Sequence, residues 1–237
     1  MKTQIISTQK VSEQNRSELY ELFQQFYANT SSERFLRDFS NKHWLIQMSD
    51  NGRLVGFSTQ QLLELPWNGT TIRFLFSGDT IVHPDYWNQS QLAGAFGHLF
   101  LRIEAQSRTP LYWFLISKGF RTYRFLPVFF NHFYPHHSVG DASMKPLLDT
   151  VAKFMFKAAY NKQSGIIESD STKDHLISRL AEIPSARQRN PHVQFFQRAN
   201  PSYATGSELA CLAPLSRSNL TRCGERVIQH TEVAWDE

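Results

Sequence analysis

The chain is short of cysteine, of long apolar runs and of clustered charge. Two Cys stand among 237 residues. Cys211 and Cys223 are spaced without a CxxC, which argues against a disulfide framework and against a Cys-built zinc site. No window approaches the ~18 consecutive apolar residues of a membrane span. The opening MKTQIISTQKVSEQ has no apolar stretch of signal-peptide type, so a cytoplasmic chain is expected. No dense Lys/Arg run of the kind found in nucleic-acid arms is present, so no nucleic-acid partner is expected. Neither low-complexity segments nor internal repeats break the sequence.

What is there suits one globular domain. The length permits a sizeable core. A net charge of +4 fits an anionic small ligand such as a nucleotide or coenzyme, or an acidic carrier protein. Aromatics reach 14%, with 19 Phe, many of them between Phe114 and Phe133. Such a stretch builds either a Phe-rich core or an apolar slot for an acyl chain.

Periodicity places the elements. Val11 to Tyr27 reads as a helix, with Leu19, Leu22, Phe23 and Phe26 on one stripe. Ser32 opens a second, short helix through Phe39. His43 to Met48, Leu54 to Leu65 and Thr71 to Val82 read as strands, joined by turns at Asn51-Gly52 and Asn68-Gly69. Gln89 to Gln106 is amphipathic at helical spacing. Leu111 to Ile116 is a continuously apolar run that fits a buried strand. A short helix kinked at Pro127 is expected over 122–130, and a longer one over 146–160. A further short helix is expected over 175–180. His192 to Arg198 and Glu208 to Leu215 read as a closing hairpin, followed by a helix over 219–229 and a frayed end. The expected architecture is an α/β sheet with antiparallel hairpins at both ends and a crossover helix between its central strands.

One segment carries a family likeness. Phe74 to Val82 is followed by His83-Pro84-Asp85-Tyr86-Trp87-Asn88-Gln89-Ser90-Gln91-Leu92. With the order of elements from about 10 to 137, this resembles the GNAT (N-acetyltransferase-like) acyltransferase superfamily. That family shows Val-x-Pro, an aromatic, and a loop Arg/Gln-x-x-Gly-x-Gly/Ala that opens a helix. Val82, Pro84 and Tyr86 match. The pyrophosphate loop is divergent: Trp87 replaces the Arg or Gln, and Ser90 and Leu92 stand at the small positions. The loop's task is to aim backbone N–H groups at phosphate from a helix N-terminus.

The resemblance implies a single GNAT-like domain. Its sheet is mixed and largely antiparallel, with a splayed central parallel pair and flanking helices. The core spans about 10–137 with a C-terminal hairpin at about 191–216, and a helical insertion fills about 138–190. It also implies an acyltransferase moving an acyl group, short or fatty, from acyl-CoA or an acyl carrier protein to an amine of a peptide or small metabolite. The altered loop keeps two other readings open, a non-catalytic GNAT-like binding module and a thioester decarboxylase or hydrolase. The donor is expected to contact Ile81, Val82, Gln89, Ser90, Gln91, Ser117 and Arg121, with Lys118 and Arg124 as further cations.

Strand alternation puts Ser77, Asp79, Ile81 and His83 on one face. Asp79 or His83 is expected as the base, with Glu64 as a third choice. Against this, Asp79 could bond Arg73 or backbone, and His83 could serve the turn before Pro84. The resemblance also implies a tyrosine after the splayed strand as proton donor toward the leaving thiolate, a place matched by Tyr123, or else Tyr134. His132, His136 and His137 with Asp141 carry metal-ligating groups, but Pro135 disfavours the helix that would align them; no metal is expected. Cys211, in an apolar strand, is expected to be inert.

Overall fold

The structure, a computed structural model, describes residues 1–138, 143–170 and 173–236. It opens with β1 (Lys2–Ser7), α1 (Glu13–Gln24), a short β2 (Tyr27–Ala28) and α2 (Ser32–Phe39). The central strands follow as β3 (Trp44–Asp50), β4 (Arg53–Trp67) and β5 (Thr70–Val82). α3 (Gln91–Ala105) crosses over to β6 (Leu111–Ser117), and α4 (Phe120–Tyr123) and α5 (Phe125–Phe129) come next. Then come α6 (Met144–Phe156), β7 (Tyr160–Asn161), β8 (Ile166–Ile167), β9 (His175–Leu176) and α7 (Ser178–Ala181). The chain closes with α8 (Pro191–Ala199), β10 (Glu208–Pro214), α9 (Arg222–Gln229) and β11 (Ala234–Asp236).

Among the described residues the main sheet has the order β11-β1-β3-β4-β5-β6-β10-β8-β7. The pairing is mostly antiparallel, with parallel pairs at β5–β6 and β1–β11. The expected mixed sheet with a central parallel pair and flanking helices is therefore the observed one. The β3–β4 and β4–β5 hairpins form where expected. Asn51, Gly52, Asn68 and Gly69 all take the positive φ that these turns demand.

Helices cover both faces. α3, α4, α5, α8 and α9 pack with Leu75, Trp113, Leu115 and Cys211 on one side. On the other, α6 packs with Phe74, Phe76 and Phe114, and α1 and α2 with Leu45, Phe57 and Ile81. α9 lies unusually close to α3. A Cβ on Gly94 would sit 1.9 Å from Thr231 Oγ1, and one on Gly97 2.3 Å from Ile228 Cγ1. Thr231 is itself tied to the Val227 carbonyl at 2.8 Å. Gly94→Ala is therefore expected to lower stability by about 2–3 kcal/mol, a fall of about 5–9 °C in Tm for a domain of this size. Thermal unfolding followed by circular dichroism checks this.

Three sequence expectations are corrected. His192 to Arg198 is not a strand but the body of α8. The Asn190 side chain accepts from the His192 and Val193 amides at 3.0 and 3.3 Å, Pro191 fits the first turn, and Val193 and Phe196 are buried three apart. The hairpin at 191–216 is thus absent, and β10 pairs with β6 and β8 instead. The region from 138 to 190 is not purely helical, because β7 and β8 extend the sheet and β9 pairs with β2. β1 and β11 form two strands that the sequence did not announce.

Candidate active site

β5 and β6 stay in register from Arg73 opposite Leu111 to Ser77 opposite Leu115, and there the pairing ends. Just past that point β5 carries an extra residue. Ser58 opposes Thr80 while Gln60 opposes Ser77, so three steps on β5 match two on β4, which is a β-bulge. The bulge breaks the expected alternation. Ser77 and Thr80 share the α3 face, whereas Ile81 packs on the α1–α2 face. Gly78 permits this local packing: a Cβ there would meet Thr59 Oγ1 at 2.6 Å and Lys42 Cε at 2.7 Å.

On the α1–α2 face the parting strands carry a charged cluster. Asp79 is half-buried, and its carboxyl is pushed up to about 7. Burial is the main cause and the charge of Asp38 adds to it, while Lys42 and Lys118 pull the other way. Lys42 is buried, holds Asp38 Oδ1 at 2.7 Å and lies 5.0 Å over the Phe76 ring. Lys118, at the end of β6, is bonded to Asp174 and lies 3.9 Å from Glu208 Oε1. Lys173 completes that network at 2.5 Å from Glu208 Oε2. The Lys118 ammonium also sits 4.9 Å over the ring of Tyr27, whose phenol burial pushes well above its ordinary value. Tyr27 feels both Lys118 and Asp79, so it faces the same cluster.

On the α3 face lies a narrow apolar cavity of about 50 Å³. Phe96, Phe100, Phe125, Phe129 and Phe130 line it with Val227 and Ile228 from α9. Its polar end is at the parting strands, where hydroxyls and amides satisfy one another. Trp113 Nε1 donates to Ser77 Oγ at 2.8 Å, Ser77 Oγ donates to Gln60 Oε1 at 2.7 Å, and Gln60 Nε2 donates to Ser58 Oγ at 2.7 Å. Ser58 and Thr80 are 2.7 Å apart. Ser77 is thus a member of a closed network. Part of the Phe-rich stretch therefore forms a slot, while Phe114 packs in the opposite core.

The loop after β5 is held in an unexpected way. Trp87 Nε1 donates to the Val82 carbonyl at 2.7 Å, and the Arg121 guanidinium lies 4.2 Å over the Trp87 ring. Arg121 comes from the chain after β6, so this stack bridges the two arms of the splay. Arg121 also reaches the Leu180 carbonyl at 2.9 Å. Burial and the charge of Arg187 lower both Arg121 and Arg124, which places three guanidinium groups in one neighbourhood. Gln89 and Ser90 are exposed at the start of α3, where no side chain caps the helix, and Gln91 Oε1 is buried without a protein partner.

Other expected residues have local tasks. His83 Nδ1 accepts from the Asp85 amide at 3.4 Å and so caps the turn at Pro84. Tyr123 is fully buried, and its hydroxyl donates to the Pro135 carbonyl at 2.8 Å. Ser117 is buried, beside the Cys211 thiol, which burial pushes up and keeps protonated. Arg73 binds the carbonyls of Ile103, Ser107 and Thr109 and closes the α3–β6 connection. Glu64 pairs opposite Arg73, far along β4 from the parting. Asp141 lies outside the described residues.

Sequence reading missed Lys42, Tyr27, Asp174 and Glu208. Only Glu208 left a trace, as an acid opening an otherwise apolar strand. No helix among the described residues is long and apolar enough to cross a membrane.

No family model matches the chain, and no curated protein matches it. Solved structures do. The chain is similar to a conserved protein of unknown function from Enterococcus faecalis V583, a probable N-acyltransferase, at 14% identity and a TM-score of 0.42. That match covers 56% of this chain and 33% of the other, so the chain spans about a third of that protein. It is similar to the ribosomal-protein-S18-alanine N-acetyltransferase from Escherichia coli at 13% identity and a TM-score of 0.40, over 90% and 94% of the two chains. A GNAT family N-acetyltransferase from Escherichia coli in complex with CoA is similar at 10% identity and a TM-score of 0.37, over 50% and 64%. These likenesses concern the arrangement of elements.

Proposed function

We propose that this protein is an acyltransferase that moves an acyl group from a phosphopantetheine thioester, acyl-CoA or an acylated carrier protein, to an amine. The observation that carries the reading is the parting of β5 and β6. It presents a half-buried carboxyl, Asp79, on one face and an apolar slot on the other. An acyl chain fits the slot, and an amine fits the charged face. The cations Arg121, Arg124 and Arg187 suit the donor's phosphates.

The amine nitrogen forms a bond to the thioester carbon, and Asp79 takes the amine proton. The carbon–sulfur bond then breaks, and the thiolate collects a proton. Asp79 is ionised in a useful fraction near neutrality, as a general base should be. Tyr27, set against Lys118 and influenced by the charge of Asp79, replaces Tyr123 as the proposed proton donor. The proposed acyl group is of medium or long chain, a reading that the apolar lining of the slot supports. The proposed amine acceptor is a peptide or a small metabolite.

The test is release of free thiol from acyl-CoA, with and without an amine acceptor. Amine-dependent release that Asp79→Asn abolishes supports the reading. Release without amine would make the protein a hydrolase.

One observation favours a second reading. The Val82 carbonyl is already taken by Trp87, and the Trp87–Arg121 stack spans the opening between the strands. If that stack is permanent, the fold is a binding module without transfer chemistry. If it is a gate, Trp87→Ala is expected to tighten donor binding about three- to tenfold by freeing the Val82 carbonyl and Arg121. Calorimetric titration of the variant with a CoA thioester decides between them. No binding by either protein favours the module.

A further inference from the structure

Three histidines from distant parts of the chain meet beside Phe133. His136 and His137 follow it in sequence, and His192 opens α8. The ring centroids are 4.5 Å apart for His136–His137, 5.3 Å for His136–His192 and 4.3 Å for His137–His192. One nitrogen from each ring lies within 4.8 Å of the others. Both arms of the cluster are fixed. Tyr134 exchanges hydrogen bonds of 2.7 Å with Leu212 of β10, and the Pro135 carbonyl takes the Tyr123 hydroxyl. The His192 amide is held by the Asn190 cap, and Val193 beside it is fully buried.

Packing alone is a poor reason for such a cluster. His192 Nδ1 is buried with no protein partner, and a buried unpaired ring nitrogen costs free energy. His136 Nδ1 lies 2.8 Å from Ser138 Oγ. The same nitrogen accepts from the Ser138 amide at 3.1 Å, so Nε2 becomes a ligand once the ring proton moves to Nδ1 and is donated to that hydroxyl. Three imidazoles with no carboxylate among them suit Zn²⁺, Co²⁺, Ni²⁺ or Cu²⁺, and do not suit Mg²⁺ or Ca²⁺. Ligand nitrogens around tetrahedral Zn²⁺ stand about 3.3 Å apart, so the rings need to close by at most ~1.5 Å. His137 is exposed and can turn. Arg124 acts on His192 from nearby, so nitrogen donation would have to outweigh a neighbouring positive charge.

We infer that His136, His137 and His192 form a three-imidazole site for a divalent transition-metal ion, Zn²⁺ foremost, with a fourth position open. The site would tie the segment after α5 to α8, which is a bond across the fold and independent of any acyl transfer.

The experiment is titration of the metal-free full-length chain with Co²⁺, followed by its visible d–d bands, then displacement by Zn²⁺. One equivalent per chain is expected, with Zn²⁺ raising the Tm. His137→Ala, at an exposed position that leaves folding intact, and His192→Ala are each expected to weaken binding at least about tenfold. His230→Ala, at the far end of α9, is expected to leave it unchanged. Absence of stoichiometric binding would overturn the inference, as would binding that survives both His137→Ala and His192→Ala. Neither readout depends on an acyl donor, so this site and the acyltransferase reading stand or fall separately.

Discussion

Asp79→Asn is expected to lower amine-dependent thiol release by about 10²–10⁴-fold, the ordinary contribution of a positioned general base. The variant keeps the size of the side chain and loses only the ability to take a proton. In the unsubstituted protein, kcat/KM should rise with pH through about 7 as Asp79 ionises, and then level. The variant should lose that limb along with its rate. A stability measurement gives an independent check. The carboxyl is raised from the ordinary 3.8 to about 7, so between those values the folded chain holds the proton that the unfolded chain has lost. Stability therefore falls as pH rises through this window. Asp79→Asn removes the penalty, so it should be the more stable protein above pH 7, by up to about 4 kcal/mol, and gain nothing below about pH 3.8. A variant that is slower yet more stable at pH 8 would be hard to explain by misfolding. Equal rates would remove Asp79 from the mechanism.

Val227→Phe is expected to change which donors are used. Val227 of α9 lines the slot together with Phe96 of α3 and Phe125 of α5. A phenyl ring there fills space that an acyl chain of several carbons would take. Each methylene buried is worth about 0.8 kcal/mol. Losing room for three or four of them predicts a fall of about 10²-fold in kcat/KM for a long-chain donor relative to an acetyl donor. The comparison of the two donors in one variant cancels any general loss of activity. An unchanged ratio would mean that the slot is ordinary core and that the acyl chain lies elsewhere.

The central framework was legible because local and long-range demands agree there. Asn51-Gly52 and Asn68-Gly69 fix the two hairpins, and the stripe Leu92, Ala95, Phe96, Leu99 and Ile103 fixes α3 against them. β1 escaped notice because Ile5 and Ile6 stand among Thr3, Gln4 and Ser7, too short a signal to outweigh its polar neighbours. α8 was misread because HVQFFQR has strand-like composition. The deciding information was the Asn190-Pro191 cap, outside the apolar run.

The site was legible in part, as a place and not as a geometry. The likeness of the segment from Phe74 to Leu92 pointed to the end of β5, and Asp79 lies there, past the point where β5 and β6 part. The bulge at Gly78 could not be read, because it depends on how β4 opposes β5. It separates Ser77 from Asp79 and moves Ser77 into the slot's hydrogen-bond network. Lys118 illustrates the same limit. As a lone basic residue after a strand it suggested phosphate binding, yet Asp174 and Glu208, far along the chain, claim it. The three-histidine cluster likewise joins positions 56 residues apart, and helical spacing was the wrong test for it.

The measurement that bears most directly on the central claim is native mass spectrometry of the chain with free CoA and with acyl-CoA esters of increasing length. A one-to-one complex whose stability grows with acyl length is the expected result for an acyltransferase whose donor would enter where β5 and β6 part, with its acyl chain in the slot lined by Phe96, Phe125 and Phe129. Binding by neither CoA nor any ester, and equally by no acylated carrier protein offered in its place, would contradict it.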